Sequence, residues 1–204
     1  MSLNLINFFD WFKSNLFYKP WLVVGKGPSF DMVADIDLND YHVVGLNHVM
    51  FKIPCLLGHA TDFDVIKTPV SDNLCLHIVT PWEPHINFKP CGTTALNLFS
   101  DKSLGIKVPV LWYNSSRSKA LMIQSGPVVR VKLFSAVAVI NLLASAGVKE
   151  VLTLGVDEGT EYSKAFSDDT KLANGRTSFK GQYKEFKMAS KTFGVSVKPL
   201  FKVP

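Results

Sequence analysis

Five groups of residues in this 204-residue chain have the types and spacing to do chemistry. In Gly25-Lys26-Gly27-Pro28-Ser29 an apolar run stops at two glycines, and a proline and a serine open what reads as a helix. A strand feeding such a turn can present backbone N–H groups to a phosphate. Asn47 ends a second apolar run, and Asp62-Phe63-Asp64 lies in a third. Two carboxylates one residue apart can share a divalent cation when the chain turns there and further oxygen ligands join them. Trp82, Glu83 and His85 could line a pocket, and they equally fit a solvent-facing aromatic loop. Asp157 closes the run Leu154-Gly155-Val156-Asp157, with Glu158, Glu161 and Tyr162 just beyond it.

Two nucleotide motifs are excluded. Phe30 stands where a dinucleotide fingerprint needs its third glycine, and the second run ends in Asn47 rather than an acid that would hold a ribose. No G-x-x-x-x-G-K-[ST] loop is present. The glycine turn taken alone fits a simple tight connection as well as a phosphate cradle.

The elements that must carry these groups read as alternating strands and helices. Strands are predicted at 21–24, 41–46, within 59–66, at 74–79, 108–113, 148–154 and 195–200. Helices are predicted after Pro28, near 93–99, at 133–147 with Gly147 ending it, and at 179–193; the third is apolar on nearly every face and belongs against a sheet. Residues 86–125 are the least legible. Alternation without an internal repeat gives an α/β class, a mostly parallel sheet flanked by helices. In such sheets ligands sit outside the carboxyl ends of strands, which puts the Gly25 turn, Asn47 and Asp62/Asp64 on one rim. Residues 158–176 form a polar excursion of the length expected for a lid-like loop near the C-terminus.

Size and composition bound the partners. With 47% hydrophobic residues the chain can bury one substantial core, giving a single unit over 21–204. The net charge of +5 favours an anionic partner: a nucleotide, an acidic sugar, a membrane surface or nucleic acid. Cys55, Cys75 and Cys91 have no paired spacing, so neither a disulfide framework nor a zinc knuckle is indicated, and a reducing, cytoplasmic compartment is expected. No apolar run approaches the roughly 18 residues of a spanning helix. Residues 1–20 read as an amphipathic helix that either docks on the core or makes a peripheral contact with the inner face of the membrane.

The turn GKGPS, the strand end LNH, the Ser135 helix and the closing LGVD together resemble the bacterial sialyltransferases of glycosyltransferase family 42. That family opens with Gly-Asn-Gly-Pro-Ser, ends its second strand at Cys-Asn, and starts a helix at a serine 22 residues before an aspartate at a strand end. Ser135 and Asp157 stand 22 residues apart here. The segment 159–166 is similar to the family's tyrosine-bearing stretch. The likeness covers roughly 21–66 and 131–200 and fades between.

The resemblance implies a Rossmann-like, variant GT-A-like domain, a CMP-sugar donor and no required cofactor. On that basis Gly25, Lys26, Gly27, Pro28 and Ser29 would meet phosphate and ribose, and Asn47, Asp62 and Ser135 ribose or base. Tyr162 with Arg176 would meet the departing phosphate. The acceptor would be a glycan, lipid-linked or other anionic hydroxyl compound, with a nucleic acid still open. Three departures stand out. Lys26 replaces the turn's asparagine, Asp62-Phe63-Asp64 replaces an asparagine at the third strand, and the family's catalytic histidine falls near 177–179, whereas all five histidines precede residue 86. The base is therefore sought in Asp157, Glu161 or His85. An alternative is magnesium-dependent diphosphoryl transfer, similar to pterin pyrophosphokinases, with Asp62, Asp64 and Asp157 around the metal. A non-catalytic nucleotide-binding module is the third reading.

Overall fold

The computed structural model describes residues 4–67, 74–86, 89–101, 104, 106–118, 126–132, 134–169 and 178–201. Eleven strands are defined among them: β1 (Leu5–Asn7), β2 (Trp21–Val24), β3 (His42–Leu46), β4 (Cys55–His59), β5 (Cys75–Pro81), β6 (His85–Ile86), β7 (Lys89–Pro90), β8 (Val110–Ser115), β9 (Val128–Val129), β10 (Glu150–Leu154) and β11 (Ser196–Pro199). The α-helices are α1 (Phe8–Lys13), α2 (Phe63–Ile66), α3 (Ala95–Phe99), α4 (Ser135–Ser145) and α5 (Gln182–Phe193).

Nine strands make one sheet in the order β1-β8-β5-β4-β3-β2-β10-β11, with β9 added on β8. Every described pairing within it is parallel, and only the β6-β7 ribbon is antiparallel. The chain winds outward from β2 through β3, β4, β5 and β8, then crosses back to lay β10 against the other side of β2. The direction of winding thus reverses between β2 and β10, and a crevice opens there beyond the carboxyl ends.

Burial follows the period of two expected of strands covered on both faces. Trp21 and Val23 belong to the core under α1, α4 and α5, while Leu22 and Val24 belong to the opposite core. Helix α4 buries Ala136 through Ala144 without a break, as its all-round apolar sequence requires.

Three elements differ from expectation. Residues 1–20 are not one helix: Leu5–Asn7 pairs in parallel with β8, and the Asn7 carboxamide oxygen then caps α1 by accepting the Phe9 N–H at 2.9 Å. Phe8 and Phe9 are buried, while Leu16 and Tyr18 are 92% and 84% exposed. The third strand is Cys55–His59, earlier than predicted, because Asp62 ends the extended run by taking the N-cap position of α2. After Gly27 the chain forms a 3-10 helix, Pro28–Asp35, rather than an α-helix. No helix among the described residues is long and apolar enough to cross a membrane.

Candidate functional site: a cleft at the carboxyl ends of the strands

The turn after β2 is fastened to the end of β10. Gly25 N–H donates to the Leu154 carbonyl at 2.8 Å and Gly27 N–H to the Gly155 carbonyl at 2.7 Å. Ser29 donates its backbone N–H to Asp157 Oδ2 and its hydroxyl to Asp157 Oδ1, each at 2.8 Å. The same hydroxyl accepts the Gly155 N–H at 2.7 Å. The glycines are required by this approach of two backbones. A Cβ on Gly27 would lie 2.5 Å from Asp157 Oδ2, and one on Gly25 would collide with the Gly155 carbonyl. Gly155 itself has φ +64°.

This corrects the expected cradle. The N–H groups of Gly25, Gly27 and Ser29 are spent on the neighbouring strand end, Pro28 has none, and Ser29 is buried with its hydroxyl engaged. The Asp157 carboxylate receives the Ser29 donors expected to meet a ligand. Gly25, Gly27 and Lys26 still line the cleft.

The opposite wall is built from the ends of β3, β4 and α4. Asn47 has φ +52°, a left-handed conformation that asparagine tolerates better than other side chains bearing a Cβ. Its carboxamide faces the Ser135 hydroxyl, with Nδ2 3.3 Å from Oγ. Ser135 is the first residue of α4, and Phe134 stands at the cap position with no oxygen to offer the first-turn N–H groups. The amino end of an 11-residue helix, with its partial positive charge, therefore meets the cleft beside Asn47. Ser135 is thus not the helix cap.

The third wall is aromatic. Phe179 packs 6.0 Å from Phe134 and 5.7 Å from Tyr162, centroid to centroid. The Lys26 ammonium sits 4.5 Å from the centre of the Tyr162 ring. Ser163 holds this segment on the turn, donating its N–H to the Lys26 carbonyl at 2.8 Å and its hydroxyl to Asp31. Phe179 N–H donates to the Gly159 carbonyl at 2.8 Å, closing the base of the long excursion. Together the walls enclose a cavity of about 150 Å³.

Of the residues picked from sequence, Gly25, Lys26, Gly27, Asn47, Asp62, Ser135, Asp157 and Tyr162 line this cleft. The others part from it. Pro28 is exposed and Ser29 lies behind the turn; Glu161 is exposed. His85 is 1% exposed beneath the rim, where its N–H donates to the Thr61 carbonyl and burial with the Arg117 charge lowers its pKa to about 4. Glu158 caps α5, accepting the N–H groups of Gly181 and Tyr183 at 3.0 and 2.9 Å. Arg176 lies outside the described residues. Asp62 and Asp64 fall at the start of α2, where positions two apart face different directions. Asp62 turns to the cleft and Asp64 lies 3.8 Å from Lys67. Sequence reasoning missed His48, Gln182, Phe134 and Phe179 as lining residues. For His48 the signal was its place directly after Asn47, at a strand's carboxyl end.

No protein-family model and no curated protein sequence matches the chain. Among solved structures, that of a point mutant of the sialyltransferase Cst-II in complex with CMP superposes with a TM-score of 0.51 at 14% identity, over 90% of this chain and 81% of that one. The fold of this chain is similar to that of this sialyltransferase. Two further Cst-II structures, another mutant described as an alpha-2,3/8-sialyltransferase and a complex with trisaccharide acceptor and CMP, give TM-scores of 0.47 at 13% and 14% identity, each over 89% of this chain and 81% of that one.

Proposed function

We propose that the cleft binds a nucleotide-activated sugar, most simply a CMP-linked, sialic-acid-like donor, and transfers the sugar to a hydroxyl acceptor with inversion. The observation that carries this reading is the convergence of the α4 amino end, Asn47 and Ser135 on one wall with Lys26 and Tyr162 facing them, at the point where the strand order reverses. The first wall offers hydrogen bonds to ribose and base, and the uncapped helix end favours negative charge. Lys26 supplies a fixed cation as charge develops on a departing phosphate, the requirement of a single displacement. The fold's likeness to a CMP-bound sialyltransferase supports the choice of base. The acceptor is proposed as a glycan or lipid-linked hydroxyl compound, and the exposed Leu16 and Tyr18, beyond the docked α1, as a peripheral membrane contact at a cytoplasmic site.

The test is thermal stabilisation by CMP, CDP, UDP, GDP and ATP, each with magnesium and with EDTA. CMP and CDP are expected to raise the melting temperature equally in both conditions, since ligand binding to the native state alone stabilises it by mass action. Stabilisation by ATP that vanishes with EDTA would support diphosphoryl transfer instead. Stabilisation by CMP without any release of CMP from a CMP-sugar would support a binding module.

A further inference from the structure

A transfer to a hydroxyl needs a group to take the acceptor's proton, and the carboxylates picked from sequence are committed elsewhere. Asp157 receives two donors from Ser29, Glu158 caps α5, and Glu161 is exposed away from the cleft. The histidines divide cleanly. His42 lies against Trp21 and Phe17, and His77 against Trp11, in the aromatic cluster of the N-terminal segment. His59 is fully buried with Nε2 2.9 Å from the Tyr113 hydroxyl, and His85 is buried under the rim. Among the described residues His48 is the one histidine that lines the cleft.

We propose that His48 is the general base of the reaction, an inference that rests on the donor-binding reading above. It occupies the second position of the 3-10 helix Asn47–Phe51, one residue past the left-handed Asn47. That helix start places Asn47 and His48 side by side on the same wall, with His48 half-buried. Imidazole is the side chain whose ordinary titration lies between about pH 5 and 8, so it can accept a proton near neutrality and return it to water.

In the step itself the acceptor O–H bond breaks and its proton passes to an imidazole nitrogen of His48. The freed oxygen lone pair forms the new bond to the anomeric carbon. The bond from that carbon to the phosphate oxygen breaks with its electron pair leaving on the nucleoside monophosphate. The imidazolium then loses its proton to solvent, and donor plus alcohol have become glycoside, monophosphate and a proton.

The charged groups around this wall bear on its pH dependence. Asp62, at the N-cap of α2 that packs against the His48 helix, lines the same cleft. Lys26, Asp157 and Tyr162 face it across the cleft, β4 adds buried His59 and Cys55, and β3 adds His42 at its far end.

The test uses the full chain, CMP-N-acetylneuraminic acid, and release of CMP to water and to a panel of sugar hydroxyls across pH. His48→Gln is expected to keep the thermal shift with CMP and lose about 100-fold or more in turnover, with the acidic limb of the wild-type profile flattened. His48→Asn should repeat the result, and the retained CMP shift shows that both variants fold. Wild-type turnover with His48→Gln within threefold and the same acidic limb overturns the proposal. So does Asp62→Asn if it alone removes that limb. Wild-type protein that neither binds nor releases CMP overturns the donor reading itself, and the role of His48 with it.

Discussion

The two sides of the cleft solve opposite problems. On the β2/β10 side the polar groups answer one another: four backbone N–H groups, one hydroxyl and one carboxylate form a closed set between Gly25 and Asp157. On the β3/α4 side a left-handed asparagine and a first-turn serine, joined by one 3.3 Å hydrogen bond, line the space between together with a helix end that no side chain caps. The first side resembles a hinge pin and the second a hand. Substitutions should therefore cost stability on the first side and ligand affinity on the second.

Gly25→Ala offers the largest break. Its Cβ meets backbone rather than a flexible side chain, so two strands must separate, and a loss of about 3 kcal/mol or more is expected in urea denaturation. A fully stable Gly25→Ala protein would show that the two strand ends are not pinned. Asp157→Asn should follow, at about 1–3 kcal/mol, because Ser29 loses a charged acceptor for two donors. Retention of CMP-induced stabilisation in that variant would confirm that Asp157 serves the protein rather than the donor.

A second contrast is set by pH. His59 and His85 are held neutral by burial, with pKa values lowered to about 3 and about 4. In the unfolded chain each titrates near 6.5, so below that pH the unfolded state binds more protons than the native one. Stability is therefore complete above about pH 6.5 and falls as the pH drops toward 4. His59→Gln, which keeps a polar partner for Tyr113, should flatten part of that slope. An unchanged slope would mean that carboxylates alone govern acid unfolding.

The sheet is legible in the sequence because strands buried on both faces are continuous apolar runs bounded by breakers, as at 21–24 and 150–154. Residues 1–20 mislead because a three-residue strand carries no period, and the apolar run into α1 looks continuous until Asn7 caps it. The rule that ligands gather at strand ends puts the Gly25 turn, Asn47 and Asp62 on one rim, and Gly25, Lys26, Gly27, Asn47 and Asp62 do line one cleft. What each one does is not legible. The pairing of Ser29 with Asp157 joins positions 128 apart, and nothing local to GKGPS distinguishes N–H groups offered to a ligand from N–H groups spent on a neighbouring strand. His48 escapes notice for a similar reason: adjacent residues on a strand point to opposite faces, and only the 3-10 start after Leu46 lets Asn47 and His48 share a wall.

The smallest effect gives the sharpest view of the open side. Asn47→Gly removes a side chain from a backbone at φ +52°, a conformation that costs a non-glycine residue about 1 kcal/mol or more. Glycine relieves that strain, but it adds about 0.5–1 kcal/mol of entropy cost by loosening the unfolded chain. The two terms nearly cancel, so the unfolding free energy should shift by less than about 0.5 kcal/mol in either direction. A residue kept for folding alone would leave ligand binding equally unmoved. If Asn47 is instead held in its conformation to present a carboxamide to the nucleotide, the CMP-induced rise in melting temperature must collapse while the ligand-free protein melts where it did before. Loss of stability with CMP binding intact would place Asn47 with Asp157, on the side of the molecule that holds itself together.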